Sequence, residues 1–513
     1  MQLDNIPIDR MLPDASLYQK GLQLAMNVIP AFGTWRELTT PVALASEALP
    51  AATSAINVGT FSDPLGSIWV GTTHPGGPSS RLYEFAPSTD TFTNRTPATN
   101  YAGAPARWYF TKFGASVIAA PENIGSGAAL QLQVRSGAGN FANLVTSVDR
   151  PDPKFICTCR SHVVGAFNIG RAGAGLYAAA DPYQYMWCSR NNAAIWTPGV
   201  DRAGFAPSSD DLGELTGICG FKEFFLLFYE LGVVRVSWVG GDVVWEPQGI
   251  GEYTFGLNAA WSPGTVKANR DCYYWSNAGP AVIRHGEAPV FLGDGQYRRF
   301  FLDQSETYEL DPTNSVEGEF NENLDAIVWS WGNPTFRHQA IYEVRTDRFS
   351  ILDGSPLATG VGSGRRITEI YPLWSTVLFG MSGANLQAIR FTTIPGSRTT
   401  AAAKFYTKRW RPQTGQRSVL HAIRPLAIMD LNGGVVPQIS ILIEAASDPS
   451  FTVVQSATLT ALSKDENGWW TSSVFPMEGN EFRFTITLQI VGGQPIIREF
   501  PALELAFEPV SVF

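Results

Sequence analysis

The chain is short of charge. Of its 513 residues only 16% are Asp, Glu, Lys or Arg. That is too few for helical bundles, whose solvent faces are built from Lys and Glu. Histidine is scarce too: His74, His162, His285, His338 and His421 are the whole set, and His-Glu-x-x-His is absent. There is no Gly-x-Ser-x-Gly elbow and no phosphate loop ending in Gly-Lys-Ser. The run from Gly170 to Gly175 has its glycines in the wrong order for a dinucleotide turn and reads as a turn between strands. No metal and no cofactor is expected. The five cysteines, Cys157, Cys159, Cys188, Cys219 and Cys272, are odd in number and loosely spaced, which fits reduced thiols rather than a disulfide framework. Cys157 and Cys159 face the same way on an expected strand. With no second pair at ligand spacing they read as small buried hydrophobes. No apolar run approaches the roughly 20 residues of a membrane span. The start, MQLDNIPIDRMLPD, has neither a basic head nor an apolar core, so neither a leader nor membrane insertion is expected. A formal net charge of −9 excludes a general nucleic-acid binder and leaves room only for local or weak contact with DNA.

What the chain does have is β-forming residues and turn residues: 49 Gly, 34 Pro, 15 Trp, 16 Tyr and 31 Phe. The stretch FFLLFYELGVVRVSWVGGDVVWEPQ, Phe224 to Gln248, reads as a meander. Phe224 to Tyr229 is apolar on both faces, which suits a strand covered on both sides. In Val233 to Trp238, Arg235 and Ser237 alternate with apolar neighbours, the pattern of a half-buried strand. A short third strand is expected over Asp242 to Trp245. Such a sheet cannot bury its own faces and needs neighbours.

The same grammar recurs. Strand–turn–strand units are read over 66–96, 114–145, 155–199, 215–248, 271–293 and 324–352. Another, over 367–391, is either a seventh unit or a strand set that closes the ring. Starts about 40 to 60 residues apart fall in the range of propeller blades, although no WD or kelch consensus is present. Radial repetition would let each sheet bury its faces against the next; a pair of large β-sandwiches is the rival architecture. After Phe391 the texture changes, and six short strands between Val419 and Phe507 predict an antiparallel sandwich. Phe482, Phe484, Ile486, Leu488 and Ile490 alternate there with Arg483, Thr485, Thr487 and Gln489. The expected fold is therefore all-β. An extended N-terminal arm spans 1–30, a multi-blade β-propeller 31–395, a basic junction 396–418 and a C-terminal antiparallel β-sandwich 419–513.

Two charge runs stand out. Eight carboxylates lie between Asp303 and Asp325 with no Lys or Arg. Paired carboxylates could do glycosidase chemistry, but a loose cluster is commonly a solvated loop. Conversely, Ile370 to Met429 contains no acid. Within it Lys404, Lys408, Arg409, Arg411 and Arg417 surround Phe405, Tyr406 and Trp410. These bases, with Trp410, are the candidates for a protein interface or a DNA-channel lining. An interleaved Arg–aromatic belt favours contact with a neighbouring acidic protein.

The order of segments resembles that of the tail nozzle, or tail hub, proteins of short-tailed bacteriophages. The resemblance runs over nearly the whole chain: the arm with Leu24-AMNVIPAFGTWRELTTP, then Glu214-LTGICGFKEFFLLFYELGVVRVSWVGG, then Gly256-LNAAWSPGTVKANRDCYYWSNAGPAVIRHGEAPVFLG, then Val316-EGEFNENLDAIVWSWGNP, and the strands from Ile439 to Phe507. It implies a non-enzymatic virion protein that assembles in the host cytoplasm into a homohexameric ring below the portal and its adaptor. The implied ring contacts the tail needle or the tail fibre or spike proteins. It lines the DNA exit channel without sequence specificity and helps retain and then eject the genome. The family has no catalytic residues to carry over. The alternative is a propeller glycan hydrolase, which would need Asp303, Glu306 and Glu309 to converge at a propeller mouth, or a glycan-binding adhesin.

Overall fold

In the computed structural model the chain is almost entirely β. The structure describes residues 2–7, 11, 13, 20–48 save 32, 33 and 38–40, 57–97 save 64–66 and 74–79, and 105. It further describes 107–302 save 123–130, 146, 148, 171–174, 208, 209, 242 and 243, and 310, and 316–352 save 322–324 and 333–336. Beyond these it describes 362–391 save 371–374, 383 and 384, and 403–510 save 413–416, 433–437, 447–450, 452, 460–462, 465–469 and 490–493.

Among the described residues the antiparallel four-stranded units number seven. Blade 1 spans Asn57–Ser62 to Thr91–Asn94, blade 2 Arg107–Phe113 to Ala142–Asn143, and blade 3 Pro153–Cys159 to Gly204–Pro207. Blade 4 runs from Leu215–Gly220 to Trp245–Glu252, blade 5 from Val266–Ala268 to Val290–Phe291, and blade 6 from Glu317–Asn321 to Arg348–Leu352. Blade 7 takes three strands from Gly362–Ile370 to Asn385–Phe391, and its fourth, outer strand is Pro41–Ala48 from the other end of the chain. The first strands of successive blades touch around a closed circle, with the short 3-10 segment Ala259–Gly264 filling the place beside blade 5. The chain is thus a seven-bladed β-propeller, closed by pairing an early strand with a late one. This removes the free edges that an open sheet stack would leave.

The meander of blade 4 begins as its sequence pattern predicts. Phe224–Tyr229 is buried almost throughout, and in Gly232–Trp238 the side chains of Val234 and Val236 are buried while Arg235 and Ser237 reach the surface. The third strand, however, is Trp245–Glu252 rather than Asp242 to Trp245. Its residues GIGE pair with Gly232–Val234, and their glycines and Pro247 conceal the strand from a propensity reading. Also unread in the sequence were the innermost strands of blades 1, 2, 5 and 6, which are short or rich in polar residues. They are buried by the circle rather than by their own amphipathy. Blades pack so closely there that a Cβ on Gly220 of blade 4 would lie 2.4 Å from the Thr158 carbonyl oxygen of blade 3.

The C-terminal sandwich has two five-stranded layers. One runs Gln2–Pro7, Gln494–Pro509, Ser418–Asn432, Trp470–Gly479, Ser463–Lys464; the other runs Leu22–Met26, Ala403–Thr407, Glu481–Gln489, Gln438–Ala446, Val453–Leu459. Phe482, Phe484, Ile486 and Leu488 point into the space between them, with Ile439, Ile441, Ile443, Leu503 and Leu505 opposite or beside them. Here the two-residue period alone predicts the buried face.

Three boundaries differ from the sequence reading. The N-terminal segment is not an arm standing apart: Gln2–Pro7 is the edge strand of one sandwich layer, and Ile6 is 1% exposed. Leu22–Met26 pairs with Ala403–Thr407 on one side and, through Met26 and Ile351, with blade 6 on the other. Blade 6 and the second layer are therefore one continuous nine-stranded sheet. The segment 396–418 is no linker where it is described, because Ala403–Thr407 is an inner strand of that sheet.

Candidate functional site

The basic segment sits inside the sandwich, and its partners are intramolecular. Lys404 is half-buried on Ala403–Thr407. Lys408 is 5% exposed, and its backbone N–H donates to the Gly21 carbonyl at 3.1 Å. Trp410 is 2% exposed; it exchanges two backbone hydrogen bonds with Phe482, and its indole Nε1 donates to Asp4 Oδ2 at 2.8 Å. Burial would raise the Asp4 carboxyl, but the hydrogen bonds from Lys20 and Trp410 hold it below the ordinary value. Arg411 pairs with Glu481, and the Arg409 guanidinium lies 3.6 Å from the same carboxylate and over the Phe451 ring. The Glu481 side chain is 1% exposed. Arg417 is exposed and pairs with Glu478 at 3.2 Å. For Arg409, Arg411 and Arg417 the acids that a neighbour was expected to bring are thus supplied by this chain's own Glu481 and Glu478. Only position along the sequence made the bases look unmatched. Lys408, Arg409, Trp410 and Arg411 hold the sandwich together.

Of the acidic run, Asp303, Glu306 and Glu309 lie outside the described residues. Glu317 and Glu319, on the first strand of blade 6, line a cavity of about 190 Å³ at the propeller axis, together with Arg107, Tyr109, Phe155, Ile218 and Thr265. Arg107 of blade 2 reaches across to Glu317 at 3.5 Å, with both side chains more than nine-tenths buried. Burial alone would lower the Arg107 guanidinium, yet Glu317, Tyr109 and Glu122 raise it above its ordinary value. Burial pushes the Tyr109 phenol up, and Glu122 adds to the effect. The Arg107–Glu317 pair is therefore a latch across the propeller axis between blades that are not neighbours.

Removing one member of that pair takes away the opposite charge that its buried partner faces. Arg107→Met should lower unfolding stability by about 3–5 kcal/mol, and Arg107→Met with Glu317→Leu should recover most of the loss. Urea denaturation of both variants tests this; equal losses in the two would refute the latch.

The five thiols are all buried. Cys157, Cys159 and Cys219 lie on the first strands of blades 3 and 4, and Cys272 on the second strand of blade 5. Burial pushes Cys159 and Cys188 up to about 12 and Cys157 and Cys272 well above the ordinary value. Among the described residues no group of three or more His, Cys, Asp or Glu side chains is placed to hold a metal ion. The unfolded thiols ionise near their ordinary value of 9.0 while the folded ones keep their protons, so this contribution to stability is complete below pH about 9. It is lost as pH rises toward about 12. The urea midpoint should fall between pH 8 and pH 10.5, and native protein at pH 8 should resist thiol reagents that label all five cysteines after denaturation. Rapid labelling of the native protein would contradict the burial.

Together the closed circle, the latched axis and the fused sheet define a β-propeller joined to a β-sandwich. No protein-family model matches the chain, and no curated protein matches it. Among solved structures it is similar to the WD40 domain of Neurospora crassa Pan2, at 8% identity and a TM-score of 0.40, over 71% of this chain and 98% of that one. The β-propeller domain of Myceliophteria thermophila Cps50 (Swd1) is similar at 10% identity and a TM-score of 0.38, over 68% of this chain and all of that one. The propeller assignment itself is carried by the seven sheets and their closure.

Proposed function

We propose that this chain is a non-enzymatic structural subunit of a short phage tail. In this reading it forms a ring, a homohexamer, below the portal and adaptor and holds tail needle, fibre or spike proteins. DNA crosses the ring on its way out of the virion. The observation that carries the proposal is the fusion of the two domains. A nine-stranded sheet runs from blade 6 through the sandwich, and the first fifty residues are stitched successively into the sandwich, blade 6 and blade 7. A subunit that must not hinge under load calls for such continuity, whereas a sliding domain pair would be joined by few contacts. The latched axis fits the same reading, in which the DNA path lies between subunits rather than through a propeller. With −9 per chain, a wall of such subunits repels DNA and lets it slide. The purified protein, or its tail complex, viewed by negative-stain microscopy should show six-fold rings with an open centre. Monomers only, accompanied by cleavage of host polysaccharide, would overturn the proposal.

A further inference from the structure

Blades 3 to 5 are polarised across the propeller in a way that the net charge hides. In each blade the strands alternate in direction. The first and third turns therefore emerge on one face, and the second turn and the inter-blade link on the other. On the first face the exposed side chains include Arg160, Arg190, Arg202, Lys222, Lys267 and Arg270, set against Asp201, Glu223 and Glu287. The turns are contiguous. Arg160 pairs with Glu223; the Arg160 and Arg202 guanidinium groups lie 5.2 and 5.7 Å from the centre of the Trp238 ring; Lys267 lies 5.1 Å over Phe221. The Asn191 N–H donates to the Ser161 carbonyl at 2.8 Å, tying the two turns of blade 3 together. Among the described residues of the opposite face of blades 3 and 4 the exposed charges are acidic, Asp211, Glu214 and Glu230, with Asp149 and Asp181 half-buried beside them. The described bases there include the half-buried Arg150 and Lys154, and Lys154 is paired with Glu122.

Each face also carries large apolar side chains in water. On the basic face Val200 is 43% and Val239 48% exposed; on the acidic face Leu176 is 54% and Leu231 45% exposed. Aliphatic side chains among charges mostly of one sign fit a protein surface. A phosphate backbone would engage the bases and leave the valines in water.

We propose that these are the two halves of one head-to-tail interface between copies of this chain. The basic face of blades 3 and 4 in one copy docks on the acidic face of the same blades in the next. Because the halves lie on opposite sides of the disc, the contact is heterologous: it closes into a ring if the rotation per subunit permits and otherwise runs on as a filament. The interface deepens the ring reading above and rests on it for closure, while its charges and aliphatic anchors stand on their own.

The test uses the full chain and sedimentation velocity. Arg190→Glu with Lys222→Glu removes the basic half, and Asp211→Lys with Glu214→Lys removes the acidic half. All four side chains are exposed, and circular dichroism checks that each variant is folded. Each double variant alone should be monomeric. An equimolar mixture of the two should assemble as the wild type does, since the unchanged contact and the charge-reversed one then alternate, and the quadruple variant should likewise recover assembly. Val239→Ser, which changes no charge, should weaken association at least tenfold. Wild-type assembly should weaken at about 1 M salt, where the Debye length is about 3 Å. Rings that form normally in both double variants would overturn this interface and leave the tail-ring reading standing. A wild-type chain monomeric at low salt and high concentration would overturn both. Normal assembly in the basic-face variant, with loss of binding to a labelled DNA duplex, would reassign that face to nucleic acid and refute the self-contact.

Discussion

Replacing Arg409 and Arg411 together by alanine should cost the C-terminal sandwich about 3–5 kcal/mol, because it removes both guanidinium groups that face the Glu481 carboxylate, 1% exposed. The opposite truncation should be milder. Glu481→Gln leaves two guanidinium groups, 21% and 23% exposed, that still reach water, and a cost of about 1–3 kcal/mol is expected. This asymmetry distinguishes an internal clamp from an interface. Reversing Lys408, Arg409 and Arg411 to Glu would set two more acids beside Glu481 and a third at the buried position 408, and should prevent the sandwich from folding, so no assembly defect of that variant can be read as a docking defect. Urea unfolding followed by circular dichroism and intrinsic tryptophan fluorescence measures the effect. A double alanine variant within 1 kcal/mol of wild type, the scale of an exposed pair, would show that the cluster is solvated.

Deleting residues 1–26 should have a larger effect still. The deletion takes away Ile6, Leu22, Ala25 and Met26 from the core, the hydrogen bond from Trp410 to Asp4, and the strand that joins blade 6 to the sandwich. Truncating one such Ile or Leu side chain commonly costs about 2–5 kcal/mol, and a whole domain is stable by about 5–15 kcal/mol. The truncated chain should therefore be insoluble, or soluble with a sandwich open to protease. Limited proteolysis and thermal melting check this. A truncated protein that melts with the wild type would restore the picture of a dispensable arm.

The same contrast runs through the functional surfaces. Trp410 was singled out as an anchor for a neighbour because it stands among bases in the sequence, whereas its ring lies against Phe482 and Phe507 of its own domain. Glu317 stood within a run that reads as a solvated loop, yet it faces Arg107 from more than two hundred residues away. The bases of the polarised face went unnoticed because they are scattered between 160 and 270, one or two per turn, among acids of nearly equal number.

The sequence by itself determined what depends on near neighbours. Alternation at Phe482 to Leu488 sets which face of that strand is buried, Gly-rich breaks set the turns of blade 4, and low charge with abundant Trp, Val and Gly sets an all-β chain. The strand Phe224–Tyr229, apolar on both sides, demands cover on both sides wherever it is put. Tertiary structure decided what depends on pairing between distant segments. Pro41–Ala48 closes blade 7, Gln2–Pro7 edges the sandwich, and Arg107, Arg409 and Arg411 find their carboxylates far along the chain. The reason is physical. A local pattern specifies the period and polarity of a strand, but the choice of partner is made by the loop-closure entropy and the burial of the whole circle, to which every blade contributes.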